Sequence, residues 1–233
     1  MIKAIFFDLY HTLIHYNPPR DEILALSLSR RGINARVTDL KHAIIAGDEF
    51  FYRENARKSL GQRTKTETHA LWEDYHVFVL EKAGVVPSPE LVTGILTDMK
   101  HTTFERVLFS DVLPVLSLLS DRGFKLGLVS NVDQNIMPLL DKLGISQYLG
   151  VVLTSKDVGV TKPEPRIFHE AVRRAGVMVA DVLYVGDQYE IDVLGARGAG
   201  LKALLLDRND NYREVAVAEK IKSLDELGAK IPA

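Results

Sequence analysis

The chain has 233 residues, with 29 Lys and Arg against 31 Asp and Glu; a net charge of −2 gives no electrostatic basis for binding nucleic acid or an anionic membrane. It has 46% hydrophobic residues, enough to bury one large domain or a core with a smaller second domain without a metal or disulfide staple. The absence of cysteine excludes disulfides, thiol catalysis and cysteine metal sites. That absence also fits a reducing cytoplasm, as does the short apolar stretch before Asp8, which falls short of a signal peptide. No apolar run approaches the roughly 20 residues that span a bilayer.

Residues 3–8 read as a first strand, and Asn17-Pro18-Pro19 breaks the chain after it. From about 20 to 104 the pattern is helical. The first helix runs from Asp21 to Arg31 and stops at Gly32, and the second is capped by Thr38 and carries Leu40, Ile44, Ile45, Phe50 and Phe51. The third helix spans Thr66 to Ala83 and the fourth Ser88 to Thr103, so the segment predicts a four-helix bundle inserted into the chain. Beyond about 109 strands and helices alternate. Val112 to Asp121 is helical, 125–131 a buried strand, Asn135 to Leu143 helical and 151–153 a short strand. Then come helix Glu164 to Ala175, strand 182–186, helix Ile191 to Arg197 and strand 201–206. This alternation calls for an α/β core, a Rossmann-like doubly wound parallel sheet completed by the first strand. The expected division is a core of 1–17 and 106–233 with an all-α cap of 18–105.

Two apolar runs end in carboxylates, Ile5-Phe6-Phe7-Asp8 and Val182-Leu183-Tyr184-Val185-Gly186-Asp187, with Asp192 five residues further on. Ligands of open α/β sheets bind beyond the carboxyl ends of the strands, so Asp8, Asp187 and Asp192 are expected to converge. Asp8 is either a nucleophile or a cap on the loop after its strand, and Asp187 and Asp192 are either ligands or helix caps. Ser130-Asn131, after the second core strand, offers donors for a phosphate or a simple turn. Lys162, fixed beside Pro163 before a helix, suits charge neutralisation or an ordinary surface loop.

In this order, the strings around Asp8, Ser130-Asn131, Lys162 and Asp187–Asp192 resemble the haloacid dehalogenase-like hydrolase superfamily, helical-cap subgroup, over residues 3–13 and about 109–206. The resemblance implies Asp8 as nucleophile, Thr12 as support for its loop, Ser130 and Asn131 as phosphate contacts, and Lys162 as a charge stabiliser. It also implies Mg²⁺ held by Asp8, Asp187, Asp192 and the backbone carbonyl of Tyr10.

Tyr10 departs from the pattern. Phosphatases of the family carry an Asp there as general acid and base, whereas its metal-independent 2-haloacid dehalogenases carry Tyr; His11 likewise replaces the usual Gly. Charge favours the metal: carboxylates about 4 Å apart repel by about 4 kcal/mol at an effective dielectric near 20, and oxygen ligands suit Mg²⁺. The expectation is an Mg²⁺-dependent phosphatase acting on a small phosphorylated molecule through an aspartyl-phosphate, with no nucleic-acid or membrane partner. Two alternatives stand beside it. One is a metal-independent 2-haloacid dehalogenase, needing an Arg such as Arg20, Arg31, Arg36 or Arg53 at the site; the other is a non-catalytic Mg²⁺- and phosphate-binding regulatory protein.

Overall fold

The four residues of β1, Ala4–Phe7, have no exposed side chain. A strand buried on both faces needs neighbours on both edges and helices above and below, and the computed structural model, which describes residues 1–212 and 219–231, supplies them. The later strands are β4 (Lys125–Ser130), β5 (Leu149–Thr154), β6 (Val182–Gly186), β7 (Lys202–Leu206) and β8 (Lys220–Ile221). Their order in the sheet is β5-β4-β1-β6-β7-β8, and every pairing is parallel. This is the expected Rossmann-like doubly wound sheet.

Alternation along each strand sorts the core into two layers. Ile5, Phe7, Leu128 and Val185 face one side, covered by α5 (Val112–Asp121), α6 (Met137–Lys142) and α10 (Leu227–Lys230). Ala4, Phe6, Val129 and Tyr184 face the other, covered by α8 (Pro165–Ala175) and α9 (Gly195–Gly198). A short helix, α7 (Ser155–Val158), follows β5 and ends at Gly159, whose φ of +73° is a conformation that glycine adopts without strain. Together these elements form one compact unit, Met1–His15 with Val107–Ala233, of which 213–218 and 232–233 lie outside the described residues.

The second unit, Tyr16–Arg106, is a helical bundle: α1 (Arg20–Ser29), α2 (Val37–Arg57), α3 (Lys65–Lys82) and α4 (Pro89–His101). Leu24, Leu28, Leu40, Ile44, Val79, Leu80 and Ile95 form its core. Thr64 caps α3 and Ser88 caps α4, each side chain accepting from a backbone N–H three residues on. Thr38 is not a cap, because α2 already begins at Val37. Among the described residues no helix is long and apolar enough to cross a membrane.

Three features differ from the sequence expectation. The chain enters and leaves the helical unit through two short strands, β2 (Ile14–Asn17) and β3 (Glu105–Leu108), paired with each other rather than left as loops. At four residues each they are too short for a period of two to stand out. Residues Tyr189–Leu194 form a π-helical turn, not the start of an α-helix. The edge strand β8 has only two residues.

Gly47 sits where α2 meets α3. A Cβ there would lie 2.5 Å from Cγ2 of Val79 and 3.0 Å from the Tyr75 ring. Helix propensity alone makes Gly47→Ala stabilising by about 1 kcal/mol, whereas the overlap makes it destabilising by about 1–3 kcal/mol. Denaturant unfolding is expected to show a net loss, and an unchanged or raised midpoint would show that the helices separate at no cost.

Candidate active site

Three adjacent strands end at one place. Phe7 of β1 stands beside Leu128 of β4 and Val185 of β6, so the residues just beyond them emerge together at the carboxyl edge. The chain builds outward through β4 and β5, then returns to the other side of β1 with β6, β7 and β8. This reversal of strand order opens a crevice at the strand ends. Asp8 follows β1, Ser130 ends β4 and is buried, and Asp187 follows β6. Asp192 comes from the π-helical turn, which folds it back so that Asp8, Asp187 and Asp192 each bring an oxygen within 4.8 Å of the others. Gly186 permits this, because a Cβ at that position would overlap the Asp192 carboxyl group.

Lys162 sits among these acids and is 2% exposed. Its ammonium donates to Oδ1 of Asp8 at 2.7 Å, Oδ1 of Asp192 at 2.6 Å and the Tyr184 hydroxyl at 2.8 Å. The Tyr184 hydroxyl in turn donates to the carbonyl of Val129 at 3.0 Å. Asn131 fixes the Lys162 backbone from both sides: its Oδ1 accepts the Lys162 N–H at 2.7 Å, and its Nδ2 donates to the Lys162 carbonyl at 3.0 Å. Asp187 accepts from the Thr12 hydroxyl at 3.3 Å and from Nε2 of Gln188 at 3.1 Å, while the Gln188 backbone N–H donates to Asp192 at 3.0 Å.

The loop after Asp8 is held from below. Leu13 and Ile14 donate to the carbonyl of Leu9, and His11 donates to that of Ile14. His11 has a φ of +61°, in the left-handed region that costs an ordinary residue strain. Half-buried Tyr10 packs on the core cluster that includes Phe7 and Leu9. Arg208, just past β7, donates to the Thr12 carbonyl at 3.0 Å, grips both oxygens of Asp111 and lies 3.9 Å from the centre of the Phe109 ring.

Sequence reasoning named Asp8, Tyr10, Thr12, Ser130, Asn131, Lys162, Asp187 and Asp192. In the structure Asp8, Asp187, Asp192 and Lys162 converge, Thr12 touches Asp187, and the Asn131 amide meets the backbone of Lys162. It missed Tyr184, Gln188, Arg208 and Asp111. Tyr184 carried one signal, a hydroxyl in an otherwise apolar strand that must find a buried partner.

Burial sets the electrostatics. It pushes the Asp8 carboxyl from 3.8 up to about 6; Lys162 opposes that shift and Asp192 adds to it. Burial also raises Asp187 well above the carboxylate range, and repulsion from Asp8 and Asp192 pushes it further. Lys162 is desolvated, which favours its neutral form, yet Asp192 and Asp8 outweigh this and keep it charged. Three carboxylates against one ammonium leave two negative charges, which protons or a divalent cation must cancel. An all-oxygen donor set of this kind fits a hard cation such as Mg²⁺.

A raised acid binds protons in the folded chain that the unfolded chain has released. Without metal, the stability due to Asp8 is therefore present below about pH 4 and lost as pH rises through about 6, and Asp187 acts in the same sense. Melting temperatures in chelator are expected to fall between pH 5 and 7.5 in wild type and to fall less in Asp8→Asn. Parallel curves for the two proteins would show that Asp8 is not a buried acid.

Comparison with known proteins agrees with this geometry. The family model for haloacid dehalogenase-like hydrolases matches residues 2–200. A glyceraldehyde 3-phosphate phosphatase of Methanopyrus kandleri is 34% identical over 222 residues, which is 92% of this chain and 88% of that protein. Among solved structures, a phosphatase from Thermococcus onnurineus is similar with a TM-score of 0.58, 25% identity and coverage of 98% and 97% of the two chains. A 2-haloacid dehalogenase from Pseudomonas syringae is similar with a TM-score of 0.56, 26% identity and the same coverage. With a family model spanning most of its length and four converging motifs in one crevice, the chain belongs to the haloacid dehalogenase-like hydrolases.

Proposed function

We propose that this hydrolase is an Mg²⁺-dependent phosphatase acting on small phosphate monoesters, with Asp8 as nucleophile. The observation that carries the reading is the acidic triad, with Asp8 and Asp192 buried and Asp187 half-buried, and its two uncompensated charges. Asp8, Asp187, Asp192 and the Tyr10 carbonyl would hold the metal, which when bound offsets negative charge on the transferring group and on the triad. Lys162 keeps Asp8 ionised and aims its oxygen; the carboxylate attacks phosphorus as the ester P–O bond breaks and the alcohol or phenol departs, and water then hydrolyses the aspartyl-phosphate to free carboxylate and inorganic phosphate. Ser130, at the end of β4, supplies a donor for the phosphoryl oxygens, while Asn131 keeps Lys162 in place. The phosphatase named for Methanopyrus kandleri supports a small phosphorylated substrate.

The dehalogenase reading is favoured by Tyr10. It needs an Arg for halide and carboxylate, and Arg20, Arg31 and Arg36 are already paired with Asp48, Asp98 and Asp39 in their own unit. The decisive assay measures phosphate release from small phosphomonoesters with and without Mg²⁺, alongside halide release from 2-chloropropionate. Metal-dependent phosphate release that disappears in Asp8→Asn is expected; halide release in chelator would reverse the assignment, and binding without turnover would favour the regulatory alternative.

Mg²⁺ is expected to raise the melting temperature, because it binds only the folded site. The shift is expected to be larger at pH 7.5 than at pH 5, since metal and protons compete for Asp8 and Asp187. Asp187→Ala is expected to remove it, and an equal shift in that variant would place the metal elsewhere.

Tyr10 sets substrate preference. It stands where the family's phosphatases carry the carboxylate that relays protons, and the loss of such a group costs about 10²–10⁴ in rate. Aryl phosphates, whose leaving groups depart as anions, are expected to outpace alkyl phosphates, and Tyr10→Asp to raise alkyl turnover selectively. Equal aryl and alkyl rates in wild type that survive His11→Ala and His15→Ala would refute this role.

A further inference from the structure

Asn131 anchors the backbone of Lys162, but a flexible four-carbon stem separates that anchor from the ammonium. The ammonium needs a second anchor of its own. Asp8 and Asp192 take two of its protons, at 2.7 and 2.6 Å. Both carboxylates also belong to the acidic triad, so a cation arriving there competes for their oxygens. The third proton goes to the Tyr184 hydroxyl at 2.8 Å, and this partner is neutral.

Tyr184 is a rigid post. It lies in β6 with its side chain 0% exposed, and the Phe168 ring meets it edge-on with centroids 5.2 Å apart. Because β1 stands between β6 and β4, the Tyr184 side chain crosses β1 to reach the Val129 carbonyl, to which its hydroxyl donates at 3.0 Å. Oδ1 of Asp192, at 3.2 Å, is a second acceptor for that one proton. A hydroxyl accepts and donates at once, so it takes the lysine proton while tied to the β4 backbone. Packing alone gives no reason for it. The layer formed by Phe6, Val129, Phe168 and their neighbours is apolar, and a phenylalanine would fill it without a polar atom to satisfy.

We propose that Tyr184 is a positioning residue for the hydrolysis and acts through Lys162: its hydroxyl keeps the ammonium on the Asp8 oxygen while other charges enter and leave the crevice. The role rests on the phosphatase reading, in which that oxygen attacks phosphorus. Removing the hydroxyl leaves one ammonium proton and the Val129 carbonyl without this partner, in a place water does not reach. The lysine keeps its charge but loses its fixed direction, and Asp8 loses its aim.

Two measurements on Tyr184→Phe test this. With p-nitrophenyl phosphate and Mg²⁺, kcat is expected to fall about ten- to a hundredfold, the worth of one hydrogen bond to a charged group, with KM unchanged. Leu116→Ala weakens the same unit from the opposite face of the sheet. It is expected to lower the melting temperature at least as much and to keep its kcat. The second measurement follows the Lys162 ammonium by NMR in isotope-labelled protein, assigned through its own side-chain carbons, in chelator and without substrate. In wild type its protons are expected to exchange slowly with water and to show cross-relaxation with the Tyr184 ring; in Tyr184→Phe exchange is expected to be at least about tenfold faster. Unchanged kcat in Tyr184→Phe, an equal loss in Leu116→Ala, or equal exchange in wild type and Tyr184→Phe would each overturn the proposal. If Tyr184→Phe does not fold, the wild-type spectrum decides, and a fast-exchanging ammonium or one without cross-relaxation to the ring overturns it. Absence of phosphate release by wild type would refute the phosphatase reading instead, and the exchange measurement, which needs neither metal nor substrate, still decides whether Tyr184 holds Lys162.

Discussion

Three carboxylates in one buried crevice are electrostatically unfavourable, and much of the unit built on the parallel sheet works to hold them there. Parallel register brings the ends of β4, β1 and β6 level, so Asp8 and Asp187 arrive without a dedicated loop. The π-helical turn and the bare Cα of Gly186 admit Asp192. Burial then does two things: it raises the proton affinity of Asp8 and Asp187, and it strengthens their attraction to any cation that replaces those protons. On the proposed reading, the same desolvation that makes the triad costly favours a compact divalent charge at it.

Fold likeness does not choose the chemistry. Solved phosphatase and dehalogenase structures resemble this chain to similar extents, so the shared architecture carries little weight between them. The discrimination comes from charge. Asp187 adds a negative group that a metal-free site would have to neutralise by protonation, and its oxygens are met by Thr12 and Gln188, neither of which brings a positive charge. Behind the loop after Asp8, Asp111 accepts from Arg208, Ser223 and the Leu224 backbone, tying the residues after β7 and β8 to the segment that carries Asp8. The helical unit has its own polar anchor in Arg20, Asp48 and Tyr75.

The alternating sheet and the bundle were legible because their signals are local: apolar runs, helical spacing and glycines at helix ends. Asp8 and Asp187 were legible because each follows an apolar run at a strand end, where ligands of such sheets gather, and Asp192 because it lies five residues beyond Asp187. What escaped had no local signal. The strands β2 and β3 are four residues each, and their pairing depends on chain about 90 residues away. The left-handed turn falls on His11, where a glycine would have announced it. Tyr184 shows a hydroxyl in an apolar strand but not its partner, and only the tertiary fold sets that hydroxyl against Lys162. Nor does anything near Asn131 in the sequence announce that the loop of Lys162 passes close enough to take both ends of its amide.

The ammonium of Lys162 bears three protons, and the chain itself supplies three acceptors for them in Asp8, Asp192 and Tyr184. Its hydrogen-bonding capacity is therefore filled before any substrate arrives. Lys162 can act on a bound molecule through its field, which has no direction, but it has no proton left with which to read the molecule's shape. Recognition of one substrate over another must then fall to groups with unfilled valence, and exchanging the substrate need not disturb the lysine at all. A site organised this way separates the part that fixes the reaction from the part that chooses the reactant, so the second is free to diverge while the first stays still.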